Sequence, residues 1–215
     1  MNESPTTNHQ RPFSEMALAD LIDAFSSIDA VPGGGSAAAL AGAVGTSLLI
    51  MVAGLPKTKT GAPEETADLA EASSRLHPLR DALLELVDRD SEAYKQVIEA
   101  FRLTKETEAE RAARKQAIDR AMRAATETPL DTMRACQQAL RDAGIIAANG
   151  SRKTTSDVGV AIELLLAGLR GARMNVEINL ATLDDAPYIS RVRAEVLELE
   201  RDAAVDADTA RGALR

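Results

Sequence analysis

At 215 residues, with 45% hydrophobic and 27% charged residues, the chain suits one domain of moderate size with a real core. A net charge of −8, 2% aromatics and no Trp deny it the basic footprint and stacking set that a nucleic-acid backbone requires. One cysteine, Cys136, and two histidines, His9 and His77, allow neither an internal disulfide nor a zinc site.

The opening MNESPTTNHQRPF lacks the basic start and apolar centre of a signal peptide. Residues 1–13 are therefore expected to form a disordered tail ahead of a single domain over 14–215. Ser14 is placed to cap a helix over Glu15–Phe25, with Leu18, Leu21, Ile22 and Phe25 on one face. Three glycines, Gly33, Gly34 and Gly35, then precede Ser36 and a small-residue apolar run that Gly54 and Pro56 should close. Ala37–Leu55 is uncharged and nearly long enough to span a bilayer, but nine of its residues are Ala or Gly, which insert poorly. The expectation is a core helix buried on all sides, in a soluble, cytoplasmic protein with no membrane partner.

Leu55–Pro63 is a basic loop, and a helical pattern covers Glu64–Leu103, where Pro78 should bend or divide it. Thr107 and Glu110 spell a capping box ahead of the stripe Ile118, Ala121, Met122 and Ala125. Thr128-Pro129 places a cap and a first-turn proline, predicting a separate helix to Ala148 that ends at a left-handed Asn149-Gly150. Ser156 should cap a helix over Asp157–Leu183, and Pro187 should begin the last one. That final helix carries Ile189, Val192, Val196, Leu199 and Ala203 as a seam for partner helices. With no alternating strand pattern, the fold class is all-α: a bundle of about seven or eight helices around a buried Ala/Gly-rich one.

The glycine run is not a P-loop, since no Lys-Ser/Thr follows at the required spacing, and no strand precedes it as in a dinucleotide fingerprint. Two readings survive: a tight turn between helices, or a place where backbone approaches a ligand at a helix start. The pairs Ala38/Gly42 and Ala41/Gly45, one turn apart, serve close helix packing. Three further clusters stand out: Asp88–Glu92 ahead of Tyr94, Asn175 with Asn179 one turn apart, and Ser156-Asp157 at a helix start. Each has a bland explanation as well, as a solvated face, interhelical hydrogen bonds and a cap. Cys136 fits a small core residue and His77 a surface one.

Taken in order, five stretches resemble the formiminotransferase-cyclodeaminase family: its cyclodeaminase domain and the free-standing methenyltetrahydrofolate cyclohydrolases. They are PGGGSAAALAGAVG (32–45), LVDRDSEAYKQVIEAFRLTK (86–105), TPL (128–130), SDVGVA (156–161) and NVEINL (175–180). Leu103-Thr104-Lys105 departs from the family's Leu-Pro-Lys, and the loop at 55–61 departs from its Thr-x-Gly-Arg/Lys. The resemblance implies an all-helical homodimer acting on one-carbon tetrahydrofolates, with no metal and no cofactor beyond that substrate. It implies a folate pocket lined by Gly33, Gly34, Gly35, Ser36 and Ser156, with Asn175 and Asn179 on the pterin edge. Asp157 and Asp90 are the implied proton carriers, with Lys105 as donor or orienter. The absence of the transferase domain of bifunctional members points to a cyclohydrolase. A cyclodeaminase and a folate-binding protein without turnover are the alternatives.

Overall fold

The computed structural model describes residues 11–215, so most of the expected N-terminal tail lies outside the described residues. Six α-helices and two short 3-10 turns make up the described chain, with no strand; Thr58 and Gly150 form one isolated bridge. The helices are α1 (Leu18–Ser26), α2 (Gly34–Ala53), α3 (Pro63–Arg102), α4 (Glu108–Asn149), α5 (Thr155–Leu180) and α6 (Ala186–Ala213).

The helix count falls below the expected seven or eight because both prolines lie inside continuous helices. Pro129 has no N–H, so it leaves the carbonyl of Ala125, four residues back, without its intrahelical donor. Asn179 on α5 supplies the missing bond, Nδ2 donating to Ala125 O at 2.7 Å, and Thr128 turns its hydroxyl back to Ala124 O instead of capping a new helix. Pro78 likewise does not divide α3. The capping box holds as expected, Glu110 N–H donating to Thr107 Oγ1 while the Glu110 carboxylate receives Thr107 N–H.

Three other local expectations are corrected. Ser14 sits in a 3-10 turn and donates to Asp88 at 2.5 Å, so α1 starts at Leu18 without a side-chain cap. Gly150 is not left-handed (φ −68°); it is glycine because a Cβ there would press on Ile146 O at 2.7 Å. The helix expected from Asp157 starts at Thr155, so Ser156 lies inside its first turn, not at its cap.

α2 is the centre of the fold. Gly42 leaves room for Cys136 Sγ and Leu83, Gly45 lets Ala161 O and Leu165 approach, and on α5 Gly168 closes on Ala38 O. A Cβ at any of these would come within about 3 Å of those neighbours, so the small residues set the interhelical distance. α2 is also the one helix among the described residues long and apolar enough to cross a membrane; more than half of it is buried in the bundle, but not on all sides as expected, since Ala37, Val44 and Met51 are exposed. The seam on α6 is used within the chain, where Val192, Val196 and Ala203 are buried among the core residues and α6 packs on α4.

Candidate active site at the start of helix α2

The glycine run works by making space for a carboxylate. A Cβ on Gly35 would fall on top of the Asp90 carboxyl group, which reaches over from α3. Asp90 Oδ2 accepts Ser36 N–H at 2.9 Å and lies 3.1 Å from the Ser36 hydroxyl. It thereby supplies from another helix the capping acceptor that Gly33, the N-cap residue, cannot provide. None of Gly33, Gly34 or Gly35 has positive φ; Gly61 is the one glycine among the described residues that does. Close approach, not an unusual backbone angle, is what requires glycine at position 35.

Burial pushes the Asp90 carboxyl above the usual range, and the hydroxyl and N–H of Ser36 oppose that rise. Its Oδ1, the atom that lies against Gly35, accepts no hydrogen bond among the described residues. Asn175 joins this group: its Nδ2 lies 3.9 Å from where a Cβ of Gly34 would stand, and donates to Gly171 O at 3.0 Å. Asn179 is committed to the Ala125 carbonyl. Two cavities lie on neighbouring segments of the chain, neither of them lined by Ser36, Asp90 or Asn175. One of about 740 Å³ lies between α1 and residues 27–31, within the range of small-molecule sites. The other, about 290 Å³, runs between Phe13 and α3 and is lined by Asp88, Ser91 and Lys95.

Asp88 and Asp90, two residues apart, are thus divided in role. Asp88 straps the N-terminal segment to α3 by accepting Phe13 N–H at 2.6 Å and the Ser14 hydroxyl. Ser91, which the sequence offers only as a member of the Asp88–Glu92 cluster, is 2% exposed and 3.2 Å from Ser36 Oγ. Its signal was its spacing: Leu83, Val87 and Ser91 recur every four residues on the buried face of α3.

The other predicted residues lie elsewhere within the chain. α2 and α5 run antiparallel, Gly34 beside Asn175 and Gly45 beside Ala161. Eighteen residues of helix separate Asp157 from Asn175, which is roughly 27 Å. Ser156 and Asp157 therefore sit at the far end of α2, near the basic loop, and not beside Asp90. That loop is held by Glu65, which accepts Thr58 Oγ1 at 2.6 Å and the N–H groups of Thr60 and Gly61. Those bonds hold the Glu65 carboxyl at about 2. Lys105 is exposed on the α3–α4 turn, twelve helical residues or more past Asp90, roughly 18 Å along the axis. The chain brings together Gly33–Ser36, Asp90 and Asn175, and separates Lys105, Ser156 and Asp157 from them. His77 is exposed and Cys136 buried, its thiol pushed up to about 12 by burial. Among the described residues no three His, Cys, Asp or Glu side chains form a metal-holding group.

An all-helical domain whose central small-residue helix opens on a buried-edge carboxylate matches a known family. The chain belongs to the formiminotransferase-cyclodeaminase family, whose profile matches residues 17–198. A methenyltetrahydrofolate cyclohydrolase of Methylorubrum extorquens is 38% identical over 167 residues, 78% of this chain and 80% of that protein. A formimidoyltransferase-cyclodeaminase of Gallus gallus is 30% identical over 186 residues, 86% of this chain but 34% of that longer protein. The crystal structure of a formiminotetrahydrofolate cyclodeaminase from Thermotoga maritima has the same fold, with TM-score 0.83 at 23% identity over 93% of this chain and 96% of that one.

Proposed function

We propose that the chain is a cytoplasmic methenyltetrahydrofolate cyclohydrolase that uses no cofactor beyond its tetrahydrofolate substrate. The observation that carries the chemistry is Asp90, a partly desolvated carboxylate with one oxygen held by Ser36 and the other free. The choice of reaction follows the 38% identity to the Methylorubrum extorquens cyclohydrolase.

In this reading Asp90 Oδ1 takes a proton from water as its oxygen bonds to the cationic methenyl carbon. The neutral adduct then loses its hydroxyl proton to solvent, the carbon–N5 bond breaks, and Asp90 returns its proton to N5. The product is 10-formyltetrahydrofolate, with one proton released overall. A carboxylate beside a cationic amidinium carbon stabilises the charge before attack and carries the proton after it. Gly33, Gly34 and Asn175 line the pterin side.

The working unit in this proposal is a homodimer. α2 exposes Ala37, Val44 and Met51 as an apolar stripe, with Ala41 and Leu48 partly covered, and α5 exposes Val160, Met174 and Ile178. Val44 stands at the middle of α2, so a two-fold axis there would lay the start of one α2 on the end of its mate. Asp90 would then meet the partner's Ser156 and Asp157, which the single chain keeps far apart.

Purified protein should bleach the methenyl chromophore faster than buffer does, and chelator should not slow it. Release of ammonia from 5-formiminotetrahydrofolate with no effect on the methenyl compound would establish the cyclodeaminase reading instead. Binding without either turnover would leave a folate-binding protein.

A further inference from the structure

The Ser36 hydroxyl has one proton and more acceptors than it can serve. Val87 O stands 2.8 Å away, Asp90 Oδ2 3.1 Å and Ser91 Oγ 3.2 Å. A carbonyl and an ionised carboxylate can only accept, so the hydroxyl donates to one of them at a time. Ser36 is 0% and Ser91 2% exposed, which leaves no solvent to serve the other. Ser91 has a proton of its own, and Ser36 Oγ has lone pairs free to receive it.

We propose that the Ser36 hydroxyl is a two-position switch that follows the charge on Asp90, donating to Oδ2 when Asp90 is ionised and to Val87 O when it is neutral. Ser91 donates to Ser36 Oγ in both positions and fixes the axis about which the hydroxyl turns. Both serines are positioning residues and neither touches substrate. The inference rests on the reading of Asp90 as the proton carrier. A hydrogen bond to an ionised oxygen is roughly twice as strong as one to a neutral oxygen, so charge draws the proton to Oδ2 and its loss returns it to the nearer carbonyl. Ser36 N–H keeps Oδ2 in place throughout, and Oδ1 alone exchanges protons with the reactant. Asp90 thereby gains and loses a proton with every polar neighbour satisfied, which avoids the cost of a stranded buried group.

Among the described residues of the chain no other free charge packs against this group, and the partner's Asp157, which the proposed dimer adds, is the same in wild type and in every serine variant. α2 has no charged residue. On α3, Asp88 is held by Phe13 and Ser14, Arg89 is paired with Asp131 of α4, and Glu92 and Lys95 are exposed. On α5, Arg173 and Glu177 are paired with Glu200 and Arg193 of α6.

The test is the titration of the Asp90 carboxyl carbon by NMR in the full chain without substrate. Ser36→Ala keeps the N–H and loses the hydroxyl, so the midpoint should rise by about one pH unit. Ser91→Ala should raise it by less, and Ser91→Thr, which keeps a hydroxyl, should restore it. The double variant should match Ser36→Ala alone, because Ser91 acts only through Ser36. An unchanged midpoint in Ser36→Ala, or additive effects of the two serines, overturns the switch. Should Ser36→Ala fail to fold, Ser91→Ala decides by itself, an unchanged midpoint sinking the proposal. Since no substrate is present, the two failures are distinguishable: full activity in Asp90→Asn would remove the catalytic reading and with it the switch's part in turnover, whereas an unchanged midpoint in the serine variants removes the switch itself.

Discussion

One carboxylate accepts hydrogen bonds at the start of α2 and another in the loop beyond its end, and the two behave in opposite ways. At the start, Asp90 accepts the N–H and lies beside the hydroxyl of Ser36; past the end, Glu65 accepts two N–H groups and two hydroxyls from the 58–61 loop. The donors are of the same kind, yet the Asp90 carboxyl is pushed up and Glu65 is held at about 2. Burial makes the difference. Hydrogen bonds favour the ionised form at both sites, but only at Asp90 does desolvation outweigh them. The exposed carboxylate is a locked anion that shapes a loop; the covered one is a group whose neutral form burial favours.

The largest expected effect separates these roles directly. Asp90→Asn should lower kcat by roughly 10²-fold or more, the usual loss when a general acid–base group is removed, with helix content by circular dichroism unchanged. Gly35→Ala should reproduce that loss, because its methyl group displaces the carboxylate. Wild-type turnover in Gly35→Ala would break the link between the glycine and Asp90.

Next in size is a change in the body of the helix. Gly42→Val drives side-chain atoms into Cys136 and Leu83 and should cost about 1–3 kcal/mol in denaturant unfolding. Gly34→Val, where a Cβ meets only Asn175 Nδ2 at 3.9 Å, should instead weaken folate binding and spare the fold. Equal loss of stability in both would mean that the glycine start is only a turn.

The smallest effect is in the pH dependence of stability. Glu65 is lowered by folding, so its support is complete above its ordinary 4.5 and is lost as pH falls toward about 2. Asp90 is raised by folding, so the neutral form is the favoured one: the native state loses stability as pH rises from 3.8 through the raised value. Thermal melts across pH should therefore show Glu65→Gln converging on wild type in acid. Asp90→Asn should gain on wild type as pH rises. The same slope in both variants would contradict the contrast.

Much of this was legible in the chain. The small-residue spacing of α2 announced a closely packed core helix, and the capping box at Thr107 fixed the start of α4. The junction inside α4 was hidden because its repair is not local: Thr128-Pro129 carries every mark of a helix start, and only Asn179, 50 residues beyond Pro129, keeps the helix running. The same applies to Asp88 and Asp90, which look alike in sequence and are told apart by what reaches them, Ser14 in one case and Ser36 in the other. Ser156 and Asp157 matched a family motif at a helix start. A motif in order along the chain says nothing about which end of an antiparallel pair it occupies.

Whether the two ends of α2 serve one site is open to a single measurement. Asp90→Asn and Asp157→Asn proteins, each expected to be inactive alone, are unfolded together, refolded as a mixture and assayed on 5,10-methenyltetrahydrofolate. If Asp90 works with the partner's Asp157, mixed dimers carry one intact site, and the mixture should regain about a quarter of wild-type turnover. A mixture as inactive as its parents, or full activity in Asp157→Asn by itself, would contradict the shared site.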